Sequence, residues 1–382
     1  MKHIFGYVVL SVFLLLLTSC KNTSKKSQVG LEEQPIQNKS LQLLVGTFAE
    51  GDGQGIYQLE FNPESGVLSN SRQVAVENRP GYLYLSKDGE RVYSSNGTQP
   101  GSVSVFKWNK DKTALNKVGN LSSKGDGACY IGLSPDEDLL AAANYGSGGI
   151  VLYPVDQNGE ILDDPQEIQH EGSGPHPNQK AAHAHCVQFS SNGDFLYAVD
   201  LGIDQILAYP ITQEKKLGKA VVGLQLDPGD GPRHLIFNPT KNMAFVINEL
   251  SSTVVSASVD PLTGKFKKID KQSTLPADYE GKNSCADIHL SPNGKFLYAS
   301  NRGHNSIAVY SVSDSGYLKP VTIESVQGDW PRNFTLSPDG NFLLVANKNS
   351  NNITVFQVDK ETGRLKYTGN QINIPQPVCL KF

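Results

Sequence analysis

One short phrase returns six times along this chain and limits what the chain can fold into. Its fullest copies run from Leu290-Ser291-Pro292-Asn293-Gly294 through Ser300-Asn301 and from Leu336-Ser337-Pro338-Asp339-Gly340 through Ala346-Asn347; shorter likenesses begin at Leu85, Leu133, Phe189 and Phe237. Each copy reads as an apolar strand, a turn rich in Ser, Pro, Asn/Asp and Gly, and a second apolar strand that ends in Asn or Asp. The closing residues Asn96, Asn144, Asp200, Asn248, Asn301 and Asn347 lie 48, 56, 48, 53 and 46 residues apart. A strand-rich repeat of this length indicates a β-propeller, in which every repeat is one four-stranded blade. A third strand follows each closing residue, as in Ile307-Ala308-Val309-Tyr310 and Ile353-Thr354-Val355-Phe356. A polar turn, often with Thr-Gly, leads to a weaker fourth strand, and no stretch keeps a helical period.

Six copies and one divided copy make seven blades. Leu41–Thr47 reads as a second strand without its first, and Ile56–Phe61 as the third. The run Pro377-Val378-Cys379-Leu380-Lys381-Phe382 has the character of a first strand. The expected fold is therefore all-β, a seven-bladed β-propeller over residues 41–382, with the N-terminal blade closed by the C-terminal strand. Closure of this kind leaves no free sheet edge to aggregate.

The first forty residues differ from the rest. Lys2 and His3 precede an apolar run from Ile4 to Leu17, ending in Leu17-Thr18-Ser19-Cys20. The run is short for a membrane span and has the proportions of an export signal. Leu-Thr-Ser-Cys resembles a bacterial lipobox, which implies a signal peptide over residues 1–19 and lipid on Cys20. Residues 20–40, polar and rich in Lys, Ser, Gln and Asn, read as a flexible tether. The expected location is the bacterial cell envelope, with membrane contact through that lipid alone. The remaining cysteines, Cys129, Cys186, Cys285 and Cys379, fall near first-strand starts in four different blades, which predicts free thiols rather than bridges. None has metal-ligand spacing, so neither metal nor cofactor is expected. A formal net charge of −4 gives no reason to expect nucleic acid.

The repeat also serves as a ruler. Five residues before the turn residue of each copy stand Gly81, Cys129, His185, Arg233, Ala286 and Arg332; just after each closing Asn or Asp stand Gly97, Tyr145, Leu201, Glu249, Arg302 and Lys348. The first two strands form an antiparallel hairpin, so both sets lie at the same end of their blades, around one mouth of the central channel. His185, Arg233, Glu249, Arg302, Arg332 and Lys348 are thereby predicted to meet. Each alone has a plain role, such as a rim charge or an ion-pair partner. Together, a carboxylate, an imidazole and several guanidiniums make an anion site with acid/base capacity. His183 and His234 are further binding candidates, with capping of backbone groups as their plain alternative; His289 is expected to be structural, facing a blade interface.

Several segments resemble a known family: Ala143-Asn144-Tyr145-Gly146-Ser147-Gly148, His183-Ala184-His185, Gly231-Pro232-Arg233-His234, Asn248-Glu249-Leu250, Asn301-Arg302-Gly303 and Pro331-Arg332-Asn333-Phe334. Together they resemble the seven-bladed propeller type of 6-phosphogluconolactonase, a lactonase family that also includes fungal carboxymuconate cyclases. The resemblance spans nearly all of residues 41–382. It implies hydrolysis of a sugar-acid lactone with His185, Arg233, Glu249 and Arg302 as site residues. Arg332 and Lys348, with His183 and His234, would then bind the substrate, whether or not it carries a phosphate. Two other readings use the same residues: a lactone-forming cycloisomerase, and a non-catalytic binding propeller. The last would be favoured if the charges at the mouth paired off among themselves.

Overall fold

The computed structural model describes residues 40–382; the expected signal peptide, Cys20 and the tether lie outside the described residues. Seven four-stranded antiparallel sheets make up the fold, each in the spatial order first to fourth strand. In the N-terminal blade the first strand is Pro377–Lys381, paired with Leu41–Thr47, so the C-terminal strand closes the ring as expected. First strands of neighbouring blades touch all the way round and enclose the axis. Second strands are the most buried, with every residue of Leu139–Asn144 and Phe342–Asn347 inaccessible.

The recurrent phrase has a local cause. Ser337 Oγ accepts the Phe342 amide at 3.0 Å, and its carbonyl accepts the Gly340 amide at 2.7 Å. Gly340 sits at φ +71, a conformation that side chains resist. Ser86, Ser134, Ser190 and Ser291 repeat the bond from hydroxyl to amide five residues on, each at 3.0 Å.

A second regularity shapes the mouth. In all seven blades the pairing of first and second strands slips near the start of the first strand. In six of them it skips one residue: Val378, Gly81, Cys129, His185, Arg233 or Arg332. In the sixth blade Ala286 and Asp287 fall in the slip. A β-bulge sets two residues against one on the partner strand and re-aims a side chain. The ruler position found in the sequence is therefore the bulge.

Candidate active site

A cleft of about 280 Å³ opens over the channel mouth, and His185, Glu249, Arg302 and Arg332 line it together with Tyr145, Phe48 and Arg79. A larger groove, about 670 Å³, lies between Gln42, Gly89 and Trp108 on the rim that carries the turns. It holds no histidine, and its Arg72 is already bonded to Gln58 and the Lys112 carbonyl, so the acid/base chemistry belongs to the smaller cleft.

Glu249 follows the second strand of the fifth blade, and Arg302 ends the second strand of the sixth. One carboxylate oxygen, Glu249 Oε2, lies 2.9 Å from Arg302 Nη2 and 2.9 Å from Arg233 Nε. The Arg233 contact lies off the N–H direction, so it is ionic rather than an aligned hydrogen bond. Arg302 also donates to the Cys285 carbonyl at 2.8 Å and the Ser284 carbonyl at 3.2 Å, which fixes its plane. Burial pushes the Glu249 carboxyl up, but Arg302, Arg233 and Arg332 outweigh it and hold the group below the usual carboxylate range. Glu249 is thus an anion locked by cations.

His185 has the opposite character. Burial, reinforced by Arg233, His234, Arg332 and Arg302, holds its imidazole well below the ordinary value, so it is neutral at pH 7. Its Nδ1 is buried without a hydrogen-bond partner, and its ring meets Tyr145 edge-on at 5.5 Å.

The far wall is cationic. Arg332 makes no ion pair or hydrogen bond among the described residues; its guanidinium lies over the Phe48 ring at 5.0 Å. Burial, with Arg233 and Arg302 nearby, brings it down to about 9. Arg79 lies over the same ring at 4.5 Å and donates from Nε to the Gly97 carbonyl at 3.1 Å. The mouth charges thus pair off only in part: Glu249 is shared by Arg233 and Arg302, while Arg332 and Arg79 make no ion pair among the described residues.

The molecule's likeness to known proteins bears on this arrangement. The model of the family "Lactonase, 7-bladed beta-propeller" matches residues 42–382. This chain belongs to the seven-bladed propeller lactonases. The 6-phosphogluconolactonase of Bacillus subtilis (strain 168) is 34% identical over 344 residues, 88% of this chain and 97% of that protein. The periplasmic gluconolactonase of Pseudomonas aeruginosa has a TM-score of 0.85 and 31% identity, over 90% of this chain and 99% of that one. A Bacteroides fragilis protein has a TM-score of 0.81 and 36% identity, over 90% and 98% of the two chains.

In this propeller lactonase the eight candidate side chains separate. His185, Glu249, Arg302 and Arg332 face the cleft. Arg233, 2% exposed, stands behind Glu249 and does not line it. His183 stacks on Tyr145 at 4.7 Å and its Nδ1 meets the Tyr145 carbonyl at 2.7 Å, so it shapes the wall from behind. His234 is buried against Asp287. Lys348 borders the cationic wall without lining the cleft, its ammonium 3.4 Å from Asn349 Oδ1. His289 bonds Asp287 at 3.0 Å and meets Phe334 of the next blade edge-on at 4.8 Å, the interface role expected of it. Cys129, Cys186, Cys285 and Cys379 are free thiols.

The ruler missed Phe48 and Arg79. Arg79 occupies the place that Gly127 and Gly231 hold in other blades, and all three have positive φ, at 51, 65 and 60. An arginine at a position where two other blades carry glycine was the available signal. Phe48 sits in the divided blade, where the repeat offers no template.

Proposed function

We propose that the chain hydrolyses a sugar-acid lactone, with the ring ester held over His185 and Arg302. The carrying observation is that a neutral imidazole and a carboxylate-anchored guanidinium line one cleft. Water attacks the lactone carbonyl, its C–O bond forms, and its proton passes to His185. The carbonyl electrons move to oxygen, where the Arg302 guanidinium meets the developing charge more strongly than it met the neutral carbonyl. Collapse re-forms the carbonyl and breaks the ring C–O bond; His185 returns its proton to the leaving ring oxygen. The product is a hydroxy acid, which ionises and releases one proton at neutral pH.

Glu249 is shared by two guanidiniums, and its part is to anchor Arg302. Arg332 and Arg79, with Lys348 beside them, suit an anionic substituent, phosphate or carboxylate, at the far end of the substrate. The reading extends to an exported, envelope-located protein lipidated on Cys20, supported by the Leu17-Thr18-Ser19-Cys20 sequence.

The test is proton release from gluconolactone and 6-phosphogluconolactone by purified protein, with spontaneous hydrolysis subtracted. Release at the spontaneous rate with both would sink the reading. Globomycin-sensitive processing and labelling by radioactive palmitate check Cys20, and a Cys20→Ser chain that still labels refutes lipidation there.

A further inference from the structure

We infer that Asp287, His234 and Arg233 form a positioning row that fixes Glu249 and, through it, Arg302 at the reacting carbonyl. The inference rests on the hydrolytic role given to Arg302 above.

The bulges set the row up. The residues after the bulges include Tyr82, Tyr130, His234 and Asn333; all four are buried and none lines the cleft. This layer is buried and largely aromatic: Tyr82 and Tyr130 stack at 3.9 Å, and Tyr130 meets His234 edge-on at 5.1 Å. An ionised carboxylate in such a place is costly unless fully bonded. Asp287 is fully bonded. Its Oδ1 lies 2.8 Å from His234 Nδ1; its Oδ2 accepts from Asn333 Nδ2, from the Phe334 amide at 3.2 Å and from His289 Nε2 at 3.0 Å.

The bond to Asp287 settles the His234 tautomer. Nδ1 carries the proton and donates, so Nε2 presents a lone pair. That lone pair lies 3.0 Å from Arg233 Nη1, which also donates to the Ala286 carbonyl. Arg233 Nε then faces Glu249 Oε2, and the same oxygen holds Arg302 at 2.9 Å. The row runs carboxylate, neutral imidazole, guanidinium, carboxylate, guanidinium, from the buried layer to the cleft. Arg233 cannot swing without giving up its imidazole acceptor, and a swing would carry its charge away from Glu249. The row explains why a guanidinium that is 2% exposed stands at the mouth at all.

The experiment compares His234→Leu with His234→Gln in the full chain, on the better of the two lactones named above. Glutamine keeps one acceptor and one donor; leucine keeps only volume. The leucine variant is expected to lose on the order of tenfold in kcat with KM within about twofold, as a lost bond to a charged group implies, while glutamine restores most of the rate. A filler role for His234 predicts equal rates for the two variants, and that result overturns the row. Arg233→Lys, which leaves the buried layer intact, is the second arm and decides alone if the leucine variant does not fold. It keeps the charge but cannot bridge His234 and Glu249, so its kcat should fall alike; wild-type kcat there overturns the row. Where both variants fold, adding His234→Leu to Arg233→Lys should cost little more. A wild-type protein inactive on both lactones removes the hydrolytic reading and this one with it; an active wild type with active leucine and lysine variants removes only this one.

Discussion

Replacing Glu249 by glutamine tests the anchored-guanidinium arrangement most directly. Glu249 Oε2 is shared by Arg233 and Arg302, each at 2.9 Å, and the two cations are 2% and 5% exposed. Glutamine retains one neutral acceptor and no charge, so one buried guanidinium loses its counter-ion. Removing one partner of a buried pair costs about 3–5 kcal/mol; the retained acceptor and the 16% exposure of the Glu249 side chain argue for about 3. In a domain of this size that lowers the melting temperature by roughly 4 °C. The rate should fall further than stability suggests. A guanidinium released from its anchor stabilises the charged intermediate less while its contact with the neutral carbonyl changes little, and each 1.4 kcal/mol lost there is about tenfold in kcat. A pH-stat follows proton release, and a calorimetric melt follows stability on the same sample. Wild-type kcat in Glu249→Gln would falsify the anchoring role; a melting loss without a rate loss would make the triad a purely structural feature.

Three further outcomes follow from the same geometry. Truncation after Gln376 removes a strand whose Val378, Cys379 and Leu380 are at most 2% exposed, and burial of Val and Leu alone is worth about 3–6 kcal/mol. That approaches the whole stability of a typical domain, so the truncated chain should lack a cooperative melt; an unchanged melt refutes ring closure by that strand. Acid should destabilise the protein early. Burial, then Arg233, depresses His234 from 6.5 to about 4, so its contribution is complete above pH 6.5 and is lost as pH falls toward 4, roughly 3 kcal/mol in all. A urea midpoint that stays flat from pH 7 to pH 5 contradicts this. Arg332→Ala should raise KM for a phosphorylated or carboxylated lactone on the order of tenfold while sparing a neutral one, because Arg332 makes no direct ion pair among the described residues; an equal rise for both refutes the anion role of that wall.

Much of this molecule was legible because one ruler runs through it. Counting back from Ser190 reached His185, and counting back from Asn238 reached Arg233, because the same bulge recurs in blade after blade. Counting gives a position on the ring, however, and not a depth. Glu249 and Arg233 belong to the same hairpin, yet only Glu249 reaches the cleft, since Arg233 is drawn back to Ala286 and His234. His183 shows the same limit: two residues before His185, it turns to the Tyr145 carbonyl instead of the substrate space. Phe48 was out of reach for another reason. The loop after Thr47 belongs to the blade assembled from both ends of the chain, and its Phe48 amide bonds the Gln376 carbonyl, a contact between segments that no local pattern announces.

Ring closure also has a bearing on time. The strand Leu41–Thr47 is among the first parts of the domain to be synthesised, and its inner partner, Pro377–Lys381, is the last. Until the strand ending at Lys381 docks, the opening blade lacks its axial strand and the Asn333 side-chain carbonyl lacks the Leu380 amide that joins the last blade to it. A nascent chain can form hairpins one after another, but the circle, and with it the two sides of the cleft contributed by Phe48 and Arg332, exists only after synthesis of the domain is complete. A chain that has not yet docked that strand is an open arc with an unpaired edge at its first blade, and its cleft is incomplete.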